Sequence, residues 1–337
     1  MTALKWGIVG AGRISHDFVT AVQTLPESNH EVVAVAGKNK ENVEKFAKEH
    51  NITRWYDDYE KLADDNEVDI VYIGNLHIQH FEASKLMLEH KKHVLCEKPF
   101  TMNEKQTTRL VEIAREKKLF LMEAVWSRCF PAYKKMKEII DSGAIGDVLF
   151  CSVHFGLAIQ HVERLTSTKL GGGAILDLGI YIIQFQQYIF RGLKPEEIAV
   201  NGHKNSAGTD ESVGAVITYP NGKMAVVSTS ARVVLPNEGV VVGTKGILRL
   251  PSFWAPTQLI TPDETFEWPL PKSSVPFLHI NSAGLSYEAE QARQCIKKGL
   301  LECPEITHNE SIEIARLMDL MRKQMGVVFP EDEQEFQ

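Results

Sequence analysis

The chain has 337 residues, which corresponds to about two domains at roughly 150 residues per domain. Hydrophobic residues make up 44% and charged residues 24%, a globular composition that excludes a disordered, collagenous or disulfide-scaffold protein. Lysine and arginine number 37 against 44 for aspartate and glutamate, so the net charge is −7. This mildly acidic balance gives no overall attraction to nucleic acid or to an anionic membrane, and we expect neither as a partner.

The cysteines and the N-terminus indicate the cellular compartment. The five cysteines include no CxxC pair and no other metal-ligand spacing, so we expect no metal site and no disulfide framework. The N-terminal sequence has no basic segment followed by a long apolar one, and we expect no signal peptide. The most apolar window, 170–190, contains Asp177 and three glutamines, which favours a buried helix over a membrane span. These features predict a cytoplasmic protein.

The first 125 residues alternate between strands and helices. The predicted strands are apolar on both faces, as a covered parallel sheet requires, and they are Leu4–Val9, Glu31–Ala36, Val68–Ile73, His93–Cys96 and Leu119–Glu123. The predicted helices between them are Ile14–Leu25, Lys40–His50, Tyr59–Asp64, His80–His90 and Asn103–Lys117. This order predicts parallel strands with right-handed crossovers. We therefore predict a doubly wound α/β Rossmann domain over residues 1–125.

The rest of the chain has a different order of predicted helices and strands. A helix over 132–142, a strand over 148–155 and a buried helix over 174–190 come first, and strand-like stretches follow from 197 to 261 without intervening helices. Asn221-Gly222 predicts a tight hairpin, and Gly243–Gly246 a second turn. Two amphipathic helices, 286–298 and 310–325, close the chain. We predict an α+β domain over 126–337 with a large, mostly antiparallel open sheet.

The strand-to-helix junction near residue 10 predicts a nucleotide site. Gly10 permits a sharp turn, and Gly12 lets the backbone approach a pyrophosphate at a helix N-terminus. Arg13, Ile14 and Ser15 form the first helical turn, and the small Ser15 still permits close helix packing. Because this pattern lies at the first junction of a strand–helix–strand series, we expect these five residues to bind a dinucleotide.

The end of the second strand predicts which dinucleotide is bound. An NAD site usually places Asp or Glu there to hold the ribose hydroxyls. This chain has Lys38 and Asn39 instead, and its first acid is Glu41. An ammonium pairs with a 2′-phosphate whereas a carboxylate repels it. We therefore predict NADP as the cofactor, with Lys38 as the main contact and Asn39 or Lys40 assisting.

Two further segments carry the candidate catalytic residues. Glu97 and Lys98 follow a strand at the carboxyl edge of the sheet, where doubly wound folds bind their ligands. Asp177 and Tyr181 are four residues apart on an apolar helix and are expected to share one face. A buried Asp and Tyr need partners or a function, and a core hydrogen bond between them is the open alternative.

These motifs together resemble the glucose–fructose oxidoreductase/inositol dehydrogenase (Gfo/Idh/MocA) superfamily over essentially the whole chain. They are the glycine turn, Glu97-Lys98-Pro99, and the helix with three glycines before Asp177 and Tyr181. The stretches 95–99 (LCEKP) and 176–181 (LDLGIY) are most similar to its dihydrodiol dehydrogenase branch. Sugar and inositol dehydrogenases of the superfamily usually have His at the position of Tyr181, so this departure favours the dihydrodiol branch.

The resemblance implies further properties as expectations. The two-domain fold would form a homodimer through the open sheet of the second domain, which would also cover an exposed apolar face. His77 and His80 would lie near the cofactor; without the resemblance they are ordinary helix-start histidines.

The resemblance also bears on the substrate pocket. Trp126, Phe155 and Trp254 match its aromatic lining in that branch, and aromatic walls suit a planar dihydrodiol as well as a sugar ring. His161 and Arg164, on the polar stretch after Phe155, are weaker candidates for substrate contact.

Hydride transfer assigns roles to these residues. An ordinary phenol has a pKa of about 10, too high for a base near neutral pH, and a nearby ammonium favours the phenolate. We therefore expect Tyr181 to be the general acid/base, Lys98 its electrostatic partner, and Asp177 to orient the substrate or Lys98. The reverse assignment, with Lys98 as the base, stays open.

The function that these expectations favour is an NADP-dependent dehydrogenase of trans-dihydrodiols and of pentose or hexose sugars such as D-xylose. Another sugar or polyol dehydrogenase, a cofactor-binding sensor without turnover and a glycosidase with tightly held NAD are the alternatives. Lys98, Asp177 and Tyr181 argue against a sensor, and Lys38 argues against the glycosidase.

Overall fold

The computed structural model describes residues 3–335 of the chain. Within them the strands are β1 (Leu4–Val9), β2 (His30–Ala36), β3 (Arg54–Tyr56), β4 (Ile70–Ile73), β5 (His93–Glu97), β6 (Leu121–Ala124), β7 (Val148–Gly156), β8 (Glu197–Lys204), β9 (Asp210–Tyr219), β10 (Lys223–Ser230), β11 (Glu238–Gly243), β12 (Ile247–Pro251), β13 (Gln258–Ile260) and β14 (Thr265–Glu267). The helices are α1 (Arg13–Val22), α2 (Lys40–Glu49), α3 (Tyr59–Ala63), α4 (His80–Glu89), α5 (Glu104–Lys117), α6 (Pro131–Asp141), α7 (Glu163–Thr166), α8 (Ile180–Ile189), α9 (Leu285–Lys297) and α10 (His308–Met325).

These elements form two compact units. The first unit contains the described residues up to Thr101 together with Lys105–Cys129 and Leu270–Ile312. The second contains Met102–Glu104, Phe130–Pro269 and the described residues from Glu313 onward. We predicted a single division at residue 125, whereas the chain returns to the first unit at residue 270.

The first unit is built on a six-stranded parallel sheet in the order β3-β2-β1-β4-β5-β6. This is the order of a doubly wound dinucleotide-binding sheet, which confirms the predicted Rossmann fold. The strands β4 and β6 are buried along their whole length, as expected for a sheet with both faces covered. The side chain of Asn39 accepts a hydrogen bond from the Asn42 amide and so fixes the start of α2.

The segment 270–312 is anchored to this unit by polar contacts. Asp17 on α1 accepts hydrogen bonds from the backbone amides of Leu278 at 2.7 Å and His279 at 2.9 Å. Further on, Glu290 of α9 lies 2.8 Å from the ring of His30 on β2. Because these partners are more than 250 residues apart, local sequence patterns gave no signal that this helix packs on the first unit.

The second unit is built on an eight-stranded sheet in the order β14-β13-β12-β11-β7-β10-β9-β8. Neighbouring strands pair antiparallel except β7 with β10, which confirms the predicted mostly antiparallel sheet. Asn221 and Gly222 have φ of +64° and +70° in the three-residue turn, Pro220–Gly222, that joins β9 and β10 into the predicted hairpin. The helix α8 packs on the sheet at β7 and β10.

No helix among the described residues has the length and apolarity needed to cross a membrane.

Candidate active site

The turn after β1 has the form of a phosphate cradle. Gly10 has φ of +95°, and a Cβ atom there would lie 2.9 Å from the backbone nitrogen of Asn75, so only glycine fits. Gly12 is the N-cap of α1, and the first turn of α1 contains no acidic residue. The Ser15 side chain is fully buried in that turn, and its Oγ has no hydrogen-bond partner among the described residues.

The arrangement fits a dinucleotide. The first backbone N–H groups of a helix have no partner within the helix and attract anions, and here no carboxylate in the first turn opposes them. Gly12 leaves space, because a Cβ atom there would meet no other atom closer than 3.8 Å. Arg13 and Ile14 belong to the same turn and remain expected contacts of the cofactor.

Lys38 follows β2 at the carboxyl edge of the sheet. Its side chain is exposed, and its Nζ lies 5.9 Å from the centre of the Tyr59 ring. Lys38 and Tyr59 line a cavity of about 400 Å³ together with Gln79, which precedes α4, and with residues along α4 that include Glu82 and Glu89. The site therefore offers an ammonium, and no acid from the end of β2, to a ribose or its phosphate.

The two histidines at the start of α4 are both buried. His80 contacts two backbone carbonyls, with Nδ1 2.9 Å from Pro99 O and Nε2 3.2 Å from Asn75 O. Burial, helped by the neighbouring His77, lowers the pKa of His80 to about 4, so the ring is neutral near pH 7. A neutral ring donates through one nitrogen, and the shorter distance assigns that bond to Pro99. His80 thus joins two turns at the carboxyl edge, whereas contact with the cofactor remains a prediction.

The Glu97-Lys98-Pro99 segment leaves β5 through a cis peptide bond between Lys98 and Pro99. Glu97 is buried, and its carboxylate accepts hydrogen bonds from the Tyr72 hydroxyl at 2.6 Å and the Lys98 amide at 3.2 Å. Burial raises the pKa of Glu97, and the charge of Lys98 opposes this rise. Glu97 therefore fixes the backbone of Lys98, whose own side chain is half-buried.

In the second unit, Asp177 lies in a π-helical turn, Ile175–Gly179, that precedes α8. This differs from the predicted uninterrupted α-helix over 174–190. The turn begins where Asp210 of β9 accepts a hydrogen bond from the Ile175 amide at 2.7 Å. Asp177 is buried and forms a bidentate ion pair with Arg164, with N···O distances of 2.5 and 3.3 Å. The candidate residue Arg164 is therefore first of all the partner of Asp177.

Tyr181 lies in the first turn of α8 within an aromatic cluster. Its ring meets Phe155 edge to face, with centroids 5.3 Å apart, and Phe155 stacks on Trp254 at 4.7 Å. Phe253 contacts Phe155 edge to face at 5.6 Å. Phe155 and Trp254, which were expected to line the substrate pocket together with Trp126, thus lie beside Tyr181. Phe253 joins them from the same loop as Trp254. Contact of these rings with a substrate remains a prediction.

The other two expected substrate contacts lie elsewhere. Trp126 is buried at the start of a short 3₁₀ turn, Trp126–Cys129, in the first unit. His161 is exposed in the loop between β7 and α7 of the second unit. Substrate contact by either residue remains a prediction.

Sequence reasoning did not anticipate three buried groups. Tyr72 holds Glu97, Asp210 caps the π-helical turn, and Glu288 of α9 is buried in the first unit. Burial and the neighbouring Glu97 raise the pKa of Glu288 well above its ordinary value. A polar residue inside an apolar helical or strand pattern was the only available signal, and it does not identify the partner.

Comparisons with known proteins agree with this fold. Residues 4–125 match the model of an oxidoreductase family with an NAD-binding Rossmann fold, and residues 133–249 match that of a GFO/IDH/MocA C-terminal domain. Among solved structures, a 3-ketoreductase from Actinomadura kijaniata, in complex with NADP and TDP-benzene, has a TM-score of 0.80 and 23% identity over 96% of this chain and 98% of that one. A levoglucosan dehydrogenase, in complex with NADH and levoglucosan, has a TM-score of 0.83 and 18% identity over the same shares.

Curated relatives are more similar in sequence. The trans-1,2-dihydrobenzene-1,2-diol dehydrogenase of Danio rerio is 42% identical over 98% of this chain and 100% of that protein. The enzyme of the same name from Homo sapiens is 41% identical over 98% of this chain and 99% of that protein. These values place the chain close to the dihydrodiol dehydrogenases.

Proposed function

Because the chain belongs to the Gfo/Idh/MocA family of oxidoreductases, with an NAD(P)-binding Rossmann domain, we propose that it is an NADP-dependent dehydrogenase of trans-dihydrodiols. The products would be catechols, and pentose or hexose sugars such as D-xylose would be further substrates, oxidised to the lactone. One observation carries the proposal: the phenol of Tyr181 is buried against the Phe155–Trp254 stack, so a proton-transfer group adjoins an aromatic wall. A planar ring with two hydroxyl groups suits such a wall.

The proposed chemistry needs a proton acceptor next to the substrate. Bound NADP would supply the hydride acceptor. Tyr181, as phenolate, would take the proton of the substrate hydroxyl, and the Lys98 ammonium would stabilise that phenolate. Glu97 supports this role because its carboxylate accepts a hydrogen bond from the Lys98 backbone amide and so fixes the backbone of Lys98. Lys98 as the base is the alternative within the same proposal.

Asp177 would act as a positioning residue and would not transfer a proton. Its carboxylate is held by both guanidinium nitrogens of Arg164, which favours the ionised form and fixes its direction. From there it would orient the substrate or Lys98. His161 and Trp126 would complete the substrate contacts, and His77 and His80 the cofactor contacts.

We propose NADP over NAD because of the side chains after β2. Lys38 offers an ammonium at the edge of the cavity, and Asn39 caps α2 beside it. A 2′-phosphate would gain a charge-assisted contact that the ribose of NAD does not offer.

We also propose a homodimer, formed through the face of the second sheet that α8 does not cover. Val226 of β10 pairs with Val216 of β9 on one side and Ser152 of β7 on the other, and Val240 of β11 is also paired with Ser152. Val216 is 41% exposed, and the other members of this row are half-buried. A second copy would cover this apolar row. The five cysteines are all buried, which agrees with the reduced thiols expected in the proposed cytoplasmic location.

The decisive experiment measures cofactor reduction by wild-type protein with trans-1,2-dihydrobenzene-1,2-diol and with D-xylose, using NADP and NAD. We expect turnover with NADP and the diol. In Tyr181→Phe we expect kcat to fall about 100-fold or more, with NADP affinity unchanged in a fluorescence titration.

Tyr188→Phe is the matched control, because it removes a hydroxyl from the same helix, and that hydroxyl donates to Tyr133 O at 3.2 Å. Full turnover in Tyr181→Phe together with its loss in Lys98→Met would assign the base to Lys98. NADP binding without turnover on any diol or sugar would contradict the dehydrogenase proposal and favour a cofactor-binding sensor.

A further inference from the structure

A cluster of two histidines and a glutamate lies in the first unit, apart from the proposed catalytic residues. His16 is on α1, Glu49 ends α2, and His50 caps the C-terminus of α2. His16 Nδ1 lies 3.1 Å from His50 Nε2 and 3.4 Å from Glu49 Oε1. The ligand atoms of all three residues lie within 4.8 Å of one another.

The hydrogen bond of His16 determines what its Nδ1 presents. His16 Nε2 lies 3.1 Å from the carbonyl oxygen of Pro276, and a carbonyl only accepts, so Nε2 carries a proton. A neutral His16 therefore has a lone pair at Nδ1. That lone pair faces a carboxylate oxygen of Glu49, so two acceptors are directed at one place. His50 Nε2 lies 3.1 Å from His16 Nδ1 and donates its proton to the same lone pair, and a cation among the three ligand atoms would take the place of that proton.

His50 can also present a lone pair to this place. It is 3% exposed, and its Nδ1 has no hydrogen-bond partner among the described residues. With no ion present, Nε2 donates to the lone pair of His16 Nδ1 and so carries the proton of the neutral ring. A cation bound at Nε2 would move that proton to Nδ1, where no other contact among the described residues competes. In that tautomer Nε2 presents a second lone pair towards His16 Nδ1.

We propose that His16 Nδ1, His50 Nε2 and Glu49 Oε1 bind a zinc ion. Zinc–nitrogen bonds of about 2.0–2.1 Å in a tetrahedron place neighbouring ligand atoms about 3.3 Å apart. The two measured separations from His16 Nδ1 lie near that value. The bond from His16 Nε2 to Pro276 O is the outer contact that a metal-bound histidine usually makes.

The ligand set and its exposure decide the class of metal. Two imidazoles and one carboxylate suit zinc better than calcium or magnesium, which prefer oxygen ligands alone. The side chain of Glu49 is 48% exposed, so it opens a path from solvent and leaves the fourth position to water. The ion would join α1 and α2, and through His16 it would also hold Pro276 of the segment 270–312.

The test uses purified full-length protein stripped with a chelator and dialysed into metal-free buffer. Calorimetric titration with zinc chloride is expected to show one saturable site per chain and a rise in the unfolding temperature. Titration with cobalt chloride is expected to give the visible bands of tetrahedral cobalt with nitrogen and oxygen ligands, without a thiolate charge-transfer band. Glu49→Gln, a change at an exposed position, is expected to weaken zinc about tenfold or more, and His50→Gln to abolish binding.

Glu44→Gln is the matched control, because it makes the same change on the same helix at a residue whose carboxylate pairs with Lys48 at the surface. It should bind zinc like the wild type. NADP binding, measured on each variant, confirms folding. No saturable binding in the wild type would overturn the proposal and leave the hydrogen bond between His50 Nε2 and His16 Nδ1 as the link. Equal binding in wild type, Glu49→Gln and His50→Gln, or a thiolate band with cobalt, would overturn it in favour of the cysteines.

Discussion

At the residue scale, the proposed preference for NADP rests on the side chain that follows β2. Lys38 is exposed beside the Tyr59 ring and lines the cavity at the carboxyl edge of the sheet. Replacing it by an acid exchanges attraction for repulsion of a 2′-phosphate. A charge-assisted hydrogen bond contributes about 1.5–3 kcal/mol, so we expect Lys38→Glu to weaken NADP about 10- to 100-fold.

The same substitution should leave NAD binding within a few-fold of the wild type. Equilibrium titration of both cofactors measures the ratio. Lys45→Glu, at an exposed position further along α2, is the control for the change in net charge. An equal weakening of NADP and NAD binding in Lys38→Glu would show that Lys38 does not contact the 2′-phosphate.

A second prediction at this scale concerns Glu123 in β6. It is 2% exposed, and its carboxylate accepts a hydrogen bond from the Phe100 amide at 3.1 Å. Burial raises the pKa of Glu123 from 4.5 to about 7. The folded protein therefore keeps a proton that the unfolded chain releases, and the free energy of unfolding falls as pH rises from about 4.5 to about 7. The size of this contribution is about 3 kcal/mol.

Glu123→Gln is neutral at every pH and should lack this contribution. The free energy of unfolding in urea, measured from pH 5 to pH 8, gives the difference between variant and wild type. As pH rises to about 7, the variant should become more stable relative to the wild type. Above pH 7 the difference in the free energy of unfolding should stay constant. A difference that does not change with pH would mean that Glu123 is already ionised in the folded state at pH 5.

At the element scale, the segment before α9 depends on one carboxylate of α1. Asp17 is fully buried and accepts the amides of Leu278 and His279, as well as the His279 ring at 2.9 Å. Asp17→Ala leaves these donors without a partner, and we expect a loss of about 2–4 kcal/mol in the free energy of unfolding. Hydrogen exchange of the two amides should accelerate more than exchange within β1.

Asp17→Asn supplies the graded comparison, because it keeps one acceptor oxygen at the same place. Its loss should lie between those of the wild type and Asp17→Ala. Unchanged exchange at Leu278 and His279 in Asp17→Ala would show that other contacts hold the segment.

The elements themselves were largely predictable, because they follow from local patterns. The predicted β1 agrees with the structure at both ends, and the glycine turn after it lies where the motif places it. The strands β3 and β14 have three residues each and carry no periodic pattern long enough to detect. The π-helical turn was missed because its start depends on Asp210, a residue of a strand 35 positions further on.

A motif in the sequence was enough to select candidate site residues. The contacts that those residues make only after folding were not predictable. Asp177 was found from its spacing to Tyr181, but its partner Arg164 is 13 residues away with no motif between them. His16 and His50 lie 34 residues apart, and the expectation of no metal site rested on cysteine spacing alone. Only the packing of α1 beside α2 brings these two rings together.

At the scale of the whole molecule, the proposed dimer rests on the row of side chains across the uncovered sheet face. Val226 lies in the middle of this row, between Val216 and Ser152. A carboxylate there would be buried without a partner in the interface and would meet its own copy, which costs several kcal/mol.

We therefore expect Val226→Glu to convert a wild-type dimer into a monomer at micromolar concentration, measured by sedimentation velocity. Val328→Glu makes the same change at a residue that is 65% exposed and lies outside the sheet, so it should remain dimeric. Circular dichroism of both variants separates dissociation from unfolding. A monomeric wild type would show that this face is not the interface. A Val226→Glu protein that keeps the wild-type mass would show the same, because an uncompensated carboxylate could not stay buried between two copies.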